Sequence, residues 1–387
     1  MIPTSRQINN IYEINTLTYL DRLSKKAGER ITLATIPEEE LARIAIYGCD
    51  IVWLMGVWER SPLARHIALN DEPLLENVRE ILPDFAPEDM AGSAYATRAY
   101  RVDESLGGEL ELAHLRKRMA RHGLKIMLDF IPNHTGFDQE WVTTHPEYYI
   151  QGSPEDIERH PTWYRNVEGR EIAKGRDPHF EPWPDVAQLN AFSPNYREKS
   201  IDTLRYIASI SDGVRCDMAM LMTNDVFAKT WAEQVGKAPT SEYWAEVIAG
   251  VRETTPNFIF MAECYWDMQG TLVDQGFDYC YDKDLYDCIV AKNMLKAKTH
   301  AERAGDLAQH LVHFLENHDE PRAASLLTPE QQHAAIKLLT SLPGPRLWHD
   351  GQFEGFRVKL PVHIARGPDE PVDETVSSIY RDELAAD

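Results

Sequence analysis

Short apolar runs recur along the chain, divided by polar stretches in which apolar residues return at helical spacing. The runs are Ile11–Leu17, Ile51–Trp58, Leu124–Ile131, Gly213–Met220, Phe258–Cys264, Phe277–Tyr281, Leu311–Leu315 and Arg346–Trp348. Most have the length and continuous apolarity of strands buried on both faces. Between them, Leu112–His122 sets Leu112, Leu115 and Met119 on one helical face. Tyr196–Ile210 does the same with Ile201, Leu204, Ile207 and Ala208. Alternating strands and helices build a parallel sheet, and eight such pairs close a (β/α)8 TIM barrel. The last helix of the series is expected at Glu374–Leu384.

Two connections are longer than a barrel needs. Pro62–Val102 carries Pro73, Pro83 and Pro87 and is expected to be irregular. Gly136–Ser193 separates the third strand from its helix and is rich in His, Pro, Trp and Tyr. Loops that follow barrel strands lie on the C-terminal face, where the chemistry of such folds sits. The expected organisation is a barrel formed by residues 1–135 and 194–387, with 136–193 as a short inserted subdomain. Trp141, Tyr148, Tyr149, Trp163, Tyr164 and Trp183 crowd that insertion. Any one of these rings is better read as loop packing than as a ligand platform.

Composition narrows the partners. The chain has 387 residues, with 40 Lys and Arg against 62 Asp and Glu, a formal net charge of −22. That field repels nucleic acid and anionic membrane surfaces. Hydrophobic residues at 43% and charged ones at 26% are the proportions of a globular chain with a large core. The opening residues lack a basic stretch followed by an apolar one, so no signal peptide is expected. Five cysteines without a paired spacing suggest reduced thiols in a cytoplasm, neither a disulfide framework nor a zinc site.

Four strand ends carry conspicuous polar residues. They read Leu128-Asp129-Phe130-Ile131-Pro132-Asn133-His134, Asp212-Gly213-Val214-Arg215-Cys216-Asp217, Met261-Ala262-Glu263-Cys264-Tyr265-Trp266 and Leu315-Glu316-Asn317-His318-Asp319-Glu320-Pro321-Arg322. Charges at the ends of apolar strands are costly unless they pair or do chemistry. Strand alternation puts Arg215 and Asp217 on one face and Cys216 on the other. An Arg beside Asp217 favours its ionised form, as a nucleophile needs. Aromatic, apolar neighbours around Glu263 favour the protonated form, as a general acid needs. Two carboxyls driven apart in this way suit retaining glycoside hydrolysis, with Asp319 available to stabilise positive charge on the sugar ring.

These segments resemble, in order and spacing, the motifs of the α-amylase family of glycoside hydrolases and transglycosylases. The resemblance runs from about Tyr12 to the end of the chain. It implies Asp217 as nucleophile, Glu263 as acid/base and Asp319 as transition-state stabiliser. It further implies that Tyr95 stacks on the bound sugar, that His134, Arg215 and His318 line the same subsite, and that Arg322 matches an arginine of α-glucosidase-like members. The expected reaction is retaining cleavage of α-glucosidic bonds in small α-glucosides or maltodextrins, with transfer to another hydroxyl as the alternative. A non-catalytic carbohydrate-binding barrel is the third reading, and retention of all three carboxylates speaks against it.

Three departures stand out. Members of the family often carry Lys and His three and four residues after the nucleophile, where Met220 and Leu221 stand here. An Asp-Leu-Asn that helps bind structural calcium is replaced by Gln188-Leu189-Asn190, which weakens a cation site near Asn133. No cofactor is expected beyond a weakened structural-calcium site near Asn133, and the β-sandwich that usually follows such a barrel is either lacking or cut from the chain. The partner expected is a neutral carbohydrate.

Overall fold

The computed structural model describes residues 2–384. Eight parallel strands close a barrel in chain order: β1 (Asn10–Asn15), β2 (Ile51–Met55), β3 (Lys125–Phe130), β4 (Gly213–Cys216), β5 (Ile259–Ala262), β6 (Tyr279–Tyr281), β7 (Leu311–Phe314) and β8 (Arg346–His349). Each lies inside, or within a residue of, the apolar run that predicts it. Helices cover the outside, among them Gly108–Arg121, Pro194–Ile210 and Glu374–Leu384.

Alternation along the strands splits the core in two. Ile11, Ile51, Trp53, Met127, Ile259, Met261, Tyr281, Val312 and Leu347 fill the barrel interior. Their neighbours Tyr12, Val52, Leu54, Ile126, Leu128, Val214, Phe260, Ala262 and Trp348 pack outward against the helices. A strand buried on both faces has no polar face to spare, which is why these segments read as continuous apolar runs. Cys216 and Cys264 join the outer layer.

The strands stop earlier than their runs. Gly56, with φ +78°, turns the chain out of β2, and Trp58–Arg60 restarts as a short strand against Thr97–Val102. β4 ends at Cys216 because Met218 takes a left-handed backbone, φ 43° and ψ 44°. The expectation that Pro62–Val102 is irregular is corrected by helices at Pro62–Ala68 and Glu72–Ile81. Their prolines occupy the first helical turn, where no N–H is needed. Ser61 and Asp71 cap them, accepting hydrogen bonds from the amides of Ala64 and Leu74.

The long excursion after β3 is tied back at its root. His134–Gly136 pairs antiparallel with Val186–Gln188, and a second small ribbon joins Tyr164–Val167 to Arg170–Ala173. Phe137, Trp141, Tyr148, Tyr149 and Ile172 share one hydrophobic cluster with the barrel's outer layer. No helix among the described residues is long and apolar enough to cross a membrane.

The turn into β8 depends on Gly344. Its φ is +88°, and a Cβ there would lie 2.4 Å from the Leu311 carbonyl oxygen and 2.7 Å from that of Ala308. Gly344→Ala is expected to cost about 1–3 kcal/mol or more and to lower the midpoint of thermal unfolding by several degrees. A midpoint within a degree of the unsubstituted protein's contradicts that tight approach.

Candidate active site

Hydrogen-bond register sets the polar residues at one end of the barrel. Arg215 on β4 lies beside Asp129 on β3 and Met261 on β5, while Glu13 on β1 lies between Trp53 and His349. Interior positions nearer the N-terminal ends hold only apolar groups such as Ile11, Ile51 and Ile259. The charged side chains therefore face a dry floor and open upward into a cleft of ≈ 380 Å³. Its walls include Tyr95, His134, Trp183, Asp217, Glu263 and Asp319.

One guanidinium organises the centre. Arg215 is fully buried and donates through Nη1 to Asp217 Oδ1 at 2.7 Å and through Nη2 to Glu263 Oε2 at 2.7 Å. Asp129 Oδ1 stands 3.6 Å from Nη1. Rings of Trp53, Tyr95 and Tyr281 lie 5.1, 5.3 and 5.8 Å from the guanidinium carbon. They add cation–π attraction and exclude water. Glu263 accepts two further hydrogen bonds, from the Met218 amide at 2.6 Å and the Tyr265 hydroxyl at 2.7 Å. The left-handed backbone at Met218 is what points that amide at the carboxylate.

This corrects the sequence-based view of the two carboxyls. Glu263 accepts hydrogen bonds from three donors, where the sequence suggests only apolar and aromatic neighbours. Burial pushes the Asp217 carboxyl up to about 8, opposed by Arg215 and reinforced by the charge of Glu263. Strand alternation alone pairs Arg215 with Asp217. The register of β5 brings Glu263 to the same guanidinium. Burial likewise pushes Asp129 up to about 6 against the pull of Arg215.

A second charged group lines the other side. Asp319 Oδ2 lies 3.0 Å from His318 Nε2, and the Tyr95 hydroxyl lies 2.7 Å from the same nitrogen. Tyr95 also stacks on His318, with ring centroids 5.5 Å apart. The Asp319 side chain is 42% exposed toward the cleft. Burial opposes its charge, but the neighbouring His318 holds it well below the usual carboxylate range. Burial pushes His134 down to about 3, so it is a neutral imidazole beside Trp183.

Of the eight residues singled out from sequence, seven converge here and Arg322 does not. Arg322 is buried beside the cleft's base, donating through Nη1 to Glu316 Oε1 at 2.6 Å, His349 Nδ1 at 2.8 Å and the Asp350 carbonyl at 2.7 Å. Its guanidinium is spent on holding β7 to β8. Among the aromatics of the excursion, Trp141, Tyr148, Tyr149 and Tyr164 are buried packing residues, and Trp163 stacks on His160. Trp183 alone of the six lines the cleft.

A family profile described as "Alpha amylase, catalytic domain" matches residues 48–358. The chain belongs to the α-amylase family. Among curated proteins it is 24% identical to alpha-amylase MalA of Haloarcula japonica over 95% of this chain and 47% of that one. It is also 24% identical to the 4-alpha-glucanotransferase of Thermotoga neapolitana, over 67% of this chain and 59% of that protein. The chain thus spans about half the length of the curated relatives it matches. Among solved structures, an alpha-amylase from Lactobacillus plantarum superposes with a TM-score of 0.68 at 21% identity. That match covers 97% of this chain and 80% of the other.

Against the family pattern, the departures acquire geometry. Met220 and Leu221 are buried in a short 3₁₀ turn, Ala219–Met222, and contribute to the core. At the calcium position, Gln188 Nε2 donates to Asn133 O at 3.0 Å, Asn133 Oδ1 at 2.8 Å and Leu189 O at 2.9 Å. Its Oε1 accepts from the Arg176 amide at 3.2 Å, which fixes the orientation of the side chain. An amide nitrogen thus occupies the centre of the oxygen cage a hard cation would need, and the carboxylate charge is missing. These residues do not fit calcium.

Sequence reasoning missed Glu13 and the Met218 amide, and read Tyr265 as an apolar neighbour of Glu263 where its hydroxyl is a donor. Glu13 had a signal, since it is a lone charge within an apolar run and at an inward register. The Met218 amide depends on a backbone turn after the strand and left none.

The raised Asp217 carboxyl carries a stability consequence. An unfolded aspartate titrates near about 3.9, whereas folded Asp217 holds its proton to about 8. The folded state therefore binds more protons across that window, and stability drains away as pH rises through it. Asp217→Asn removes this loss. Its melting temperature is expected to exceed the unsubstituted protein's by more at pH 8 than at pH 5. An offset that is the same at both pH values contradicts the assignment.

Proposed function

We propose that this chain cleaves α-glucosidic bonds of small α-glucosides or maltodextrins by a retaining double displacement. The observation that carries the reading is the single Arg215 guanidinium shared by Asp217 and Glu263. Two carboxyls held on one side chain belong with the narrow spacing of retaining enzymes, not the wider gap that accommodates a water molecule in inverting ones. Asp217 attacks the anomeric carbon, and Glu263 protonates the departing oxygen. Glu263 then acts as base toward water or a second hydroxyl.

Burial holds a proton on Asp217 up to about pH 8 in the unliganded site. Positive charge developing on the sugar beside Asp217 favours the arrangement with Asp217 ionised and the proton on Glu263. Tyr95 offers a flat ring to the sugar face, and Asp319 with His318 holds its hydroxyls. A net charge of −22 accords with a neutral carbohydrate as partner. Five free, buried cysteines accord with a cytoplasmic setting. The Gln188 amide makes structural calcium unnecessary at Asn133.

Transfer is the second reading, and one observation favours it. The segment after Asp217 turns Met220 and Leu221 into the core, and Met218 together with Tyr265 from the segment after β5 lines the cleft wall. An apolar leaving-group side holds a sugar acceptor better than it holds water. Relatives bearing both kinds of name, an amylase and a glucanotransferase, accord with either outcome.

Incubation with maltose, trehalose, sucrose, maltodextrin and an aryl α-glucoside tests both readings by whether free sugar or longer products accumulate. Asp217→Asn is expected to lower turnover about a thousandfold or more, and kcat/KM is expected to fall above about pH 8 as the pair loses its proton. No turnover of any of these sugars overturns the reading. Separately, chelators are expected to leave the melting temperature unchanged, and a calcium-dependent rise contradicts the assignment of Gln188.

A further inference from the structure

His318 has a carboxylate on each ring nitrogen. Nδ1 faces Glu13 Oε1 at 2.5 Å, and Nε2 faces Asp319 Oδ2 at 3.0 Å. A neutral imidazole carries one N–H; placed on Nδ1 toward Glu13 it would leave Nε2 accepting from the Tyr95 hydroxyl at 2.7 Å with its lone pair facing Asp319, and only the imidazolium gives both carboxylates a donor. Glu13 is wholly buried, and its other oxygen, Oε2, has no hydrogen-bond partner. The only cationic or imidazole group within ion-pairing distance of it, among the described residues, is His318. A buried carboxylate without a counter-charge is costly, so the two residues need each other.

The surroundings of the ring are otherwise balanced. Trp53 on β2 meets it edge-on at 5.5 Å, and Tyr95 stacks at the same distance. Asp129 on β3 adds negative charge within electrostatic reach, and Arg215 on β4 opposes it. Lys359, from the segment after β8, donates to the Asp319 carbonyl. Burial would push His318 down, but Asp319 and Glu13 together raise it to about 10.

We infer that Glu13 is a positioning residue that fixes His318 as a permanent imidazolium, and through it keeps Asp319 ionised and oriented toward the cleft. With both nitrogens protonated, Nε2 presents a donor next to the Asp319 acceptor. A pair of adjacent sugar hydroxyls meets one of each. Without Glu13 the ring holds its proton less firmly, its tautomer is no longer fixed, and in the neutral form Nε2 can turn its lone pair on Asp319. The role in gripping sugar rests on the proposed function, whereas the charge state of the ring does not.

Nitrogen-detected NMR of ¹⁵N-histidine-labelled protein tests this, with the His318 signals identified by their loss in His318→Gln. Both ring nitrogens are expected to carry protons at pH 7–8, with no titration below about pH 9. In Glu13→Gln the ring is expected to titrate about 1–3 pH units lower. Turnover of maltodextrin should fall about tenfold or more, and Glu13→Asp should restore much of both. A neutral His318 at pH 7 in the unsubstituted protein overturns the proposal, and so does an unchanged titration in Glu13→Gln. If Glu13→Gln does not fold, the titration of the unsubstituted protein decides alone. Failure to cleave any α-glucoside would sink the functional reading and leave the ring titration to decide the role of Glu13.

Discussion

A single buried cation between carboxylates is the constraint on which the rest of this structure rests. Arg215 reaches Asp217 and Glu263 at 2.7 Å and Asp129 at 3.6 Å, with no solvent exposure of its own. Bringing such a group into a dry barrel costs more than the pairing returns, so the cluster is a poor way to hold a protein together. It is a good way to hold two carboxyls at a fixed distance. The fold accommodates the cost with apolar layers beneath and the rings of Trp53, Tyr95 and Tyr281 around. Every strand from β1 to β6 supplies or supports a member of this group.

Across the cleft, a second cation answers the first. His318 lies between Glu13 and Asp319 as Arg215 lies between Asp217 and Glu263. Each cation is held from below by the barrel and presents a carboxylate upward. The region between them is lined by carboxyls held on these two cations, so a polar but neutral molecule meets both donors and acceptors.

Much of this was legible in the sequence, and the limits have physical causes. Predominantly apolar runs placed all eight strands, because burial on both faces leaves few polar residues to interrupt them. Glu374–Leu384 was legible from helical spacing, a local property. Strand ends were not, because Gly56 and Met218 end them by backbone conformation. Pro62–Val102 read as irregular because prolines mark helix starts as readily as loops. The three carboxylates stood out as charges at apolar strand ends, but their protonation depended on the register of β4 against β5. Arg322 illustrates how a motif position leaves a side chain's partners unread. Its place in a motif suggested a ligand contact, whereas Glu316, His349 and the Asp350 carbonyl engage its guanidinium.

The central claim is that Asp217 and Glu263, held on one guanidinium, act as nucleophile and acid/base in a double displacement. Proton NMR of the first sugar released from an α-glucoside, recorded before mutarotation, tests it most directly. Two inversions at the anomeric carbon predict that the α-anomer appears first and the β-anomer only as it equilibrates. Initial release of the β-anomer would mean a single displacement by water and would contradict the account.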